Sequence, residues 1–317
     1  MRAAHVTLTV LVATACMLAF SDASGESIAW TLMPEWAPPA AASWPGAADL
    51  DGDGDPDLLA GMSCDGLRND GGCLVGPWGE TPSWCDGLPD AGDCVHARVE
   101  LADLDQDGDT DALFGCYYGS ILFFENVGTP HEPQWNRNDD YFYTSWSNFR
   151  APGAADLDGD GDLDIVAGVS AGLSHLVVYW NIGIPAAPVW IEDRDFFSSI
   201  APLGTSVEPN FADIDQDGDL DLVAFPIGWD DVPPNVYENI GTAASALWQT
   251  NPGLLSGIDA VHSYHGGVLT DLDCDARPDL LMFVIDDGEY EARCYRNDGP
   301  MTAVEQTSWG LIKSLYR

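Results

Sequence analysis

DLDQDGDTD, residues 103–111, running straight into Ala112-Leu113-Phe114, is the stretch on which the fold turns. Variants of it recur as DLDGDGDPD at 49–57, DLDGDGDLD at 156–164, DIDQDGDLD at 213–221 and DLDCDARPD at 271–279. The starts lie 54, 53, 57 and 58 residues apart. That period is too long for most helical solenoids and suits a four-stranded propeller blade. Each loop leads into a short apolar run, from Leu58-Leu59-Ala60 in the first repeat to Leu280–Val284 in the last. Such runs suit strands buried on both faces.

A hard cation takes several oxygen ligands in a flexible shell. Asp at loop positions 1, 3, 5 and 9, with the carbonyl of position 7, supplies one. The side chains are Asp49, Asp51, Asp53 and Asp57; Asp103, Asp105, Asp107 and Asp111; Asp156, Asp158, Asp160 and Asp164; and Asp213, Asp215, Asp217 and Asp221. Their position-7 residues are Asp55, Asp109, Asp162 and Asp219, and Gly at position 6 permits the bend. The fifth loop keeps Asp271, Asp273, Asp275 and Asp279 but has Ala276 at the bend and Arg277 at position 7. A non-Gly residue forced to a left-handed angle costs about 1 kcal/mol, so this site is expected to be the weakest. An EF-hand loop begins alike but needs a bidentate Glu at position 12 and a flanking helix. Position 12 here is Ala60, Phe114, Ala167, Ala224 or Met282, which excludes it.

A further strand follows in most repeats and ends in Asn-x-Gly, as at Asn126/Gly128, Asn181/Gly183, Asn239/Gly241 and Asn297/Gly299. Asn and Gly tolerate left-handed angles, so the pattern reads as a turn. A Trp follows at matching positions, assigned as Trp84, Trp135, Trp190 and Trp248, with residues 63–77 as an insertion displacing the corresponding strand of the first repeat. Trp30 stands to the first loop as Trp84 does to the second. The predicted fold is therefore an all-β propeller of five four-stranded blades, the strand around Trp30 completing the fifth. Closure of that kind removes exposed sheet edges.

At this point the motif ADLDGDGDxDLLAG resembles the FG-GAP or VCBS repeats of integrin-alpha-type propellers and many bacterial exported proteins. The resemblance covers roughly residues 26–299, with five repeats where seven blades are usual. It implies that the loops hold structural Ca2+ and that ligand binding lies elsewhere on the ring.

The formal charge of −41 would suit a disordered acidic chain, but 46% hydrophobic content and 12 Trp provide ample core. The acids are also clustered, 24 of the 52 lying in the five loops. Carboxylates so close repel one another unless a cation neutralises them. Nucleic acid is an unfavourable partner for such a surface. Residues 1–25 have the pattern of a signal peptide, with an apolar run from Val6 to Phe20 and cleavage after Ala23 or Gly25. No later segment approaches the ~20 apolar residues of a membrane span. The expected location is secreted or cell-surface, and disulfides are then the default for Cys64, Cys73, Cys85, Cys94, Cys116, Cys274 and Cys294. Proximity suggests Cys64/Cys73, Cys85/Cys94 and Cys274/Cys294 with Cys116 left over, although spacing alone leaves the connectivity open. Residues 300–317 read as a tail or linker.

No nucleophile elbow, P-loop or dinucleotide fingerprint occurs. His262 and His265 fall where a strand is expected, and the acids Glu192, Asp193, Asp195, Asp230 and Asp231 show no spacing that selects a glycosidase pair. The expectation is a non-enzymatic binding or adhesion module with an unknown protein or glycan ligand. The alternatives are a lectin-like ring and a polysaccharide-active enzyme. An exposed, non-repeating cluster of two carboxylates with aromatics at one end of the central channel would favour the enzyme.

Overall fold

Each Asp-rich loop turns the chain out of an inner strand and into a second strand whose residues are nearly all buried. The computed structural model describes residues 27–301 apart from 40–43, 62–63, 73–74, 90–93, 95–96, 117–118, 144–148, 170–174, 201–202, 204–206, 227–231, 259–262 and 287. Five four-stranded antiparallel sheets result, each a blade. Blade 2 is the plainest, with Arg98–Ala102 innermost, then Asp111–Gly115, Ile121–Asn126 and Trp135–Arg137. The inner strands of the others are Pro45–Ala48, Phe149–Ala155, Val207–Ala212 and Ser263–Thr270. These five strands touch in sequence, the last meeting the first, and so line a central channel.

The ring closes as predicted. Ile28–Leu32 is the outer strand of blade 5, pairing antiparallel with Glu289–Pro300 in a register that sets Trp30 opposite Asn297. The first and last described strands therefore share one sheet, and every blade has four strands.

The hydrophobic core is divided among five clusters, each between neighbouring blades. Phe114, Phe124 and Trp135 of blade 2, for example, pack with Leu59 and Trp84 of blade 1. All but one of the repeat tryptophans add a polar tie at the same seams, the exception being Trp248, whose buried Nε1 has no hydrogen-bond partner among the described residues. The indole N–H of Trp135 donates to Trp84 O at 2.6 Å, that of Trp190 to Tyr141 O at 2.8 Å, and that of Trp30 to Leu254 O at 2.7 Å. A buried indole usually needs such a partner.

Two sequence expectations are corrected here. The repeat tryptophan of blade 1 is Trp78, which opens the outer strand Trp78–Glu80 opposite Asn69 and donates to Trp36 O at 2.9 Å. Trp84 lies in the following 3-10 turn, Pro82–Cys85, and the strand thought displaced is present as Gly66–Asn69. The disulfides are Cys64–Cys85 and Cys94–Cys116, so Cys116 is paired. Cys274 is disulfide-bonded, but not to Cys294, which is a free, buried thiol. Sequence neighbours in this loop-rich stretch lie on different elements, and the bridges join each loop to the next strand connection. The signal segment, the tail after 301 and His262 lie outside the described residues, and the His265 side chain is likewise not described. No described helix is long and apolar enough to cross a membrane.

Candidate metal centres and the central channel

The loops share one geometry. Position 4 and position 6 are both left-handed: in the second loop Gln106 has φ 57° and Gly108 98°, and in the fourth Gln216 has 64° and Gly218 99°. The N–H of position 6 then donates to the position-1 carboxylate, as Gly108 N does to Asp103 Oδ2 at 3.1 Å. The N–H groups of positions 5 and 7 donate to positions 3 and 5, as from Asp107 to Asp105 (3.1 Å) and from Asp109 to Asp107 (3.0 Å). The backbone donors thus curl the chain so that its carboxylates converge.

Three carboxylates in each loop bring one oxygen apiece to within 4.8 Å of one another: Asp49, Asp51 and Asp53; Asp103, Asp105 and Asp107; Asp156, Asp158 and Asp164; Asp213, Asp215 and Asp217; and Asp271, Asp273 and Asp279. These are hard oxygen donors, and several lack other employment. Oδ1 of Asp103, Asp213 and Asp273 is buried with no hydrogen-bond partner among the described residues. A cation would satisfy all of them, so the residues present fit a metal ion.

Position 9 has a second job that sequence did not reveal. Asp111 is 1% exposed, accepts from Leu104 N at 3.2 Å and accepts from Asn126 N at 2.9 Å. Asp57, Asp164, Asp221 and Asp279 do the same to Leu50 and Asn69, Leu157 and Asn181, Ile214 and Asn239, and Leu272 and Asn297. The position-9 Asp therefore bolts the loop to the third strand. Burial pushes these carboxyls up to about 7, and Asp221 to about 8. The Asn of Asn-x-Gly has its own role: Asn126 Oδ1 accepts from Gly128 N and Gln134 N, both at 3.0 Å, and builds the turn.

The fifth loop departs as its sequence implies. Ala276 holds the bend at φ 69°, where the glycines of the other loops reach 95–99°. Arg277 Nη1 pairs with Asp275 Oδ2 at 3.0 Å, placing a cation of the protein's own beside a predicted ligand. The loops also touch the neighbouring blades. His131 Nδ1 lies 2.6 Å from Asp51 O, and Gln106 Nε2 donates to Gly161 O at 2.6 Å.

A different cluster occupies the channel. Five residues before the first Asp of each loop stand Trp44, Arg98, Ala151, Glu208 and Gly266. Equivalent positions of five blades meet around the axis, so these form one layer, at the start of the inner strands and away from the loops. The Arg98 guanidinium lies 4.3 Å from the centre of the Trp44 ring, and its Nη1 is 3.6 Å from Glu208 Oε2. Blades 2 and 4 are not neighbours, so that ion pair spans the channel. A Cβ on Gly266 would fall 2.6 Å from Glu208 Oε2 and 3.1 Å from Trp44 Cδ1, so a side chain there would displace the Glu208 carboxylate from its place. One step along the channel, half-buried Glu100 accepts from Ala154 N of blade 3 at 3.2 Å. Burial, reinforced by Glu208 and opposed by that hydrogen bond, raises the Glu100 carboxyl to about 8. Burial also raises Glu208, against the pull of Arg98 and the Gly267 N–H. Sequence reading missed this layer. Aligning the repeats on their loops would have exposed it, as the position where residue type fails to repeat. Of the acids that the sequence offered, Glu192 and Asp193 lie on the outer strand of blade 3, where Glu192 pairs with Arg194; Asp195 follows that strand, and Asp230 and Asp231 lie outside the described residues.

Residues 103–167 and 156–224, from the loop of blade 2 to the second strand of blade 4, match the model of the FG-GAP-like repeat. No curated protein matches the chain. Among solved structures, a thermostable family-43 glycoside hydrolase aligns over 80% of this chain and 88% of its own, with a TM-score of 0.50 and 10% identity. The Tc holotoxin pore of Photorhabdus luminescens, carrying the TccC3 D651A mutation, aligns over 81% of this chain but 11% of its own, with a TM-score of 0.37 and 17% identity. The first likeness is one of fold. It nonetheless corrects the expectation of a non-enzyme, which rested on the propeller reading and the lack of a familiar motif: a glycoside hydrolase is built on this same architecture.

Proposed function

We propose that this chain is an exported propeller whose five Asp loops bind structural Ca2+, and that the ring so held serves to recognise a protein or glycan. The observation that carries this reading is the convergence of three carboxylate oxygens in each of five loops, with buried oxygens at Asp103, Asp213 and Asp273 that no described donor serves. Calcium accepts such irregular all-oxygen shells, whereas Mg2+ demands near-octahedral geometry and keeps its waters. The two described disulfides suit an oxidising compartment, in line with the apolar leader at residues 6–20. In this reading the loop end of the ring is scaffold and recognition lies elsewhere. Calorimetric titration of metal-free protein with CaCl2 is expected to show about five ions bound, the last more weakly, with MgCl2 giving little heat. Absence of calcium binding, or equal uptake of magnesium, overturns it.

A further inference from the structure

We infer that the channel layer of Trp44, Arg98 and Glu208, with Glu100 beside it, is a binding site for a neutral, hydroxyl-rich ligand, the end unit of a glycan. The inference goes beyond the calcium reading and stands on none of its residues.

Four observations lead there. The layer is assembled from one repeat position in all five blades, yet it holds Trp, Arg, Ala, Glu and Gly, whereas the loops a few residues away are nearly identical. A position that only packed the ring would repeat, as the buried second strands do. Next, the charged groups reach across the axis: Arg98 and Glu208 come from non-adjacent blades and are 3% and 5% exposed.

Third, a buried acceptor is left over. Glu208 Oε2 is buried and has no hydrogen-bond partner among the described residues, and Arg98 Nη1 at 3.6 Å stands just beyond hydrogen-bond reach. An unsatisfied buried oxygen of this kind calls for an O–H or N–H from outside. Fourth, the chemistry of the surroundings selects among donors. The Glu208 carboxylate repels an anion. A guanidinium held against the same carboxylate repels a metal ion or an ammonium. What remains is a neutral group that donates to Glu208 and accepts from Arg98, as paired sugar hydroxyls do. The Trp44 ring carries the Arg98 guanidinium on its face and so holds that donor beside Glu208.

The test uses the full mature chain loaded with calcium, on a glycan array and by calorimetry with the methyl glycosides of glucose, galactose, xylose and arabinose. We expect retention of at least one glycan class, with affinity falling tenfold or more in Glu208→Gln and Arg98→Lys. Arg137→Ala, at the exposed rim, is expected to leave it unchanged. In the wild-type protein the indole N–H resonance of Trp44 should move as the bound sugar is added, a readout that stands even where a channel variant fails to fold. Three results overturn the site: no glycan retained, binding indifferent to Glu208→Gln with Trp44 unmoved, or a calcium uptake event lost in Glu208→Gln, which would make the layer a cation site. Each leaves the loop titration of the calcium reading untouched, so the two proposals fail separately.

Discussion

The two ends of the channel wall are built on opposite rules. At the end of each inner strand the loops repeat almost atom for atom, and their backbone donors, Gly108 N and Asp109 N among them, fall on the same carboxylates in blade after blade. At the start of the same strands no two blades agree, and Trp44, Arg98 and Glu208 converge from three of them. Repetition is what a scaffold needs, because five equal seams close a ring only if every blade contributes the same wedge. Asymmetry is what a site needs, because a ligand without fivefold symmetry is met by one constellation. Even within the repeated end the fifth loop breaks step, at Ala276 and Arg277.

The largest effect expected from this contrast is on the repeated end. Removing calcium with EDTA should lower the melting temperature by more than ~10 °C, because the ion binds only the folded loops and several sites act together. The disulfides will hold the chain's topology but cannot cancel the repulsion of the carboxylates. A melting curve unmoved by chelation would break the distinction between scaffold end and site end.

Next in size is the bolt at position 9. Asp111→Ala strips acceptors from two buried backbone N–H groups, those of Leu104 and Asn126, at a cost of about 2–4 kcal/mol. For a domain of this size that is a melting shift of roughly 5 °C or more. Asp111→Asn keeps one acceptor and should lose less. The effect should persist in EDTA, since the bolt is made without the metal. Equal stability of Asp111→Ala and wild type in EDTA would reduce position 9 to a metal ligand alone.

How much of this was open to a reader of the sequence follows the same division. The Asp spacing, the apolar run after it and the outer strand at Trp30 were legible, because they recur and because each obeys a local rule of turn or strand. Blade number and ring closure followed from counting. The register of blade 1 did not, since Trp78 and Trp84 both follow the insertion and only strand pairing with Asn69 decides between them. Cysteine pairing failed for the same reason: Cys64 and Cys85 meet through the fold rather than through nearness in the chain. The channel layer was invisible one residue at a time, because Arg98 and Glu208 are 110 positions apart and are joined only by the geometry of the ring.

On the asymmetric end, pH sharpens the comparison. Glu100 sits at about 8 in the folded protein, above the ordinary Glu value, so the folded state holds a proton that the unfolded chain has lost. The stabilisation this gives is therefore complete below the ordinary Glu range and fades as pH rises through about 8. In saturating calcium the melting temperature should fall by ~4 °C between pH 6.5 and 9, and Glu100→Gln, which cannot lose the proton, should flatten that slope. A slope unchanged by Glu100→Gln would mean the channel carboxyl is not a buried acid.

The smallest effect belongs to the odd loop. Ala276 takes φ 69° with a Cβ, at a cost of about 1 kcal/mol that the glycines of the other bends do not bear. In Ala276→Gly the bend can open toward the 95–99° of its counterparts, and the fifth site should gain roughly fivefold in calcium affinity. The gain in melting temperature will be smaller than that ratio suggests, because glycine also loosens the unfolded chain. Arg277→Asp acts on the other half of the difference: it frees Asp275 from its ion pair and restores the residue that the first loop carries as Asp55. If the two changes together leave the last calorimetric step as weak as before, the weakness of the fifth loop lies neither in its bend nor in its arginine. The cause would then have to be sought in its closing blade, where the loop is followed by strands shared between the two ends of the chain.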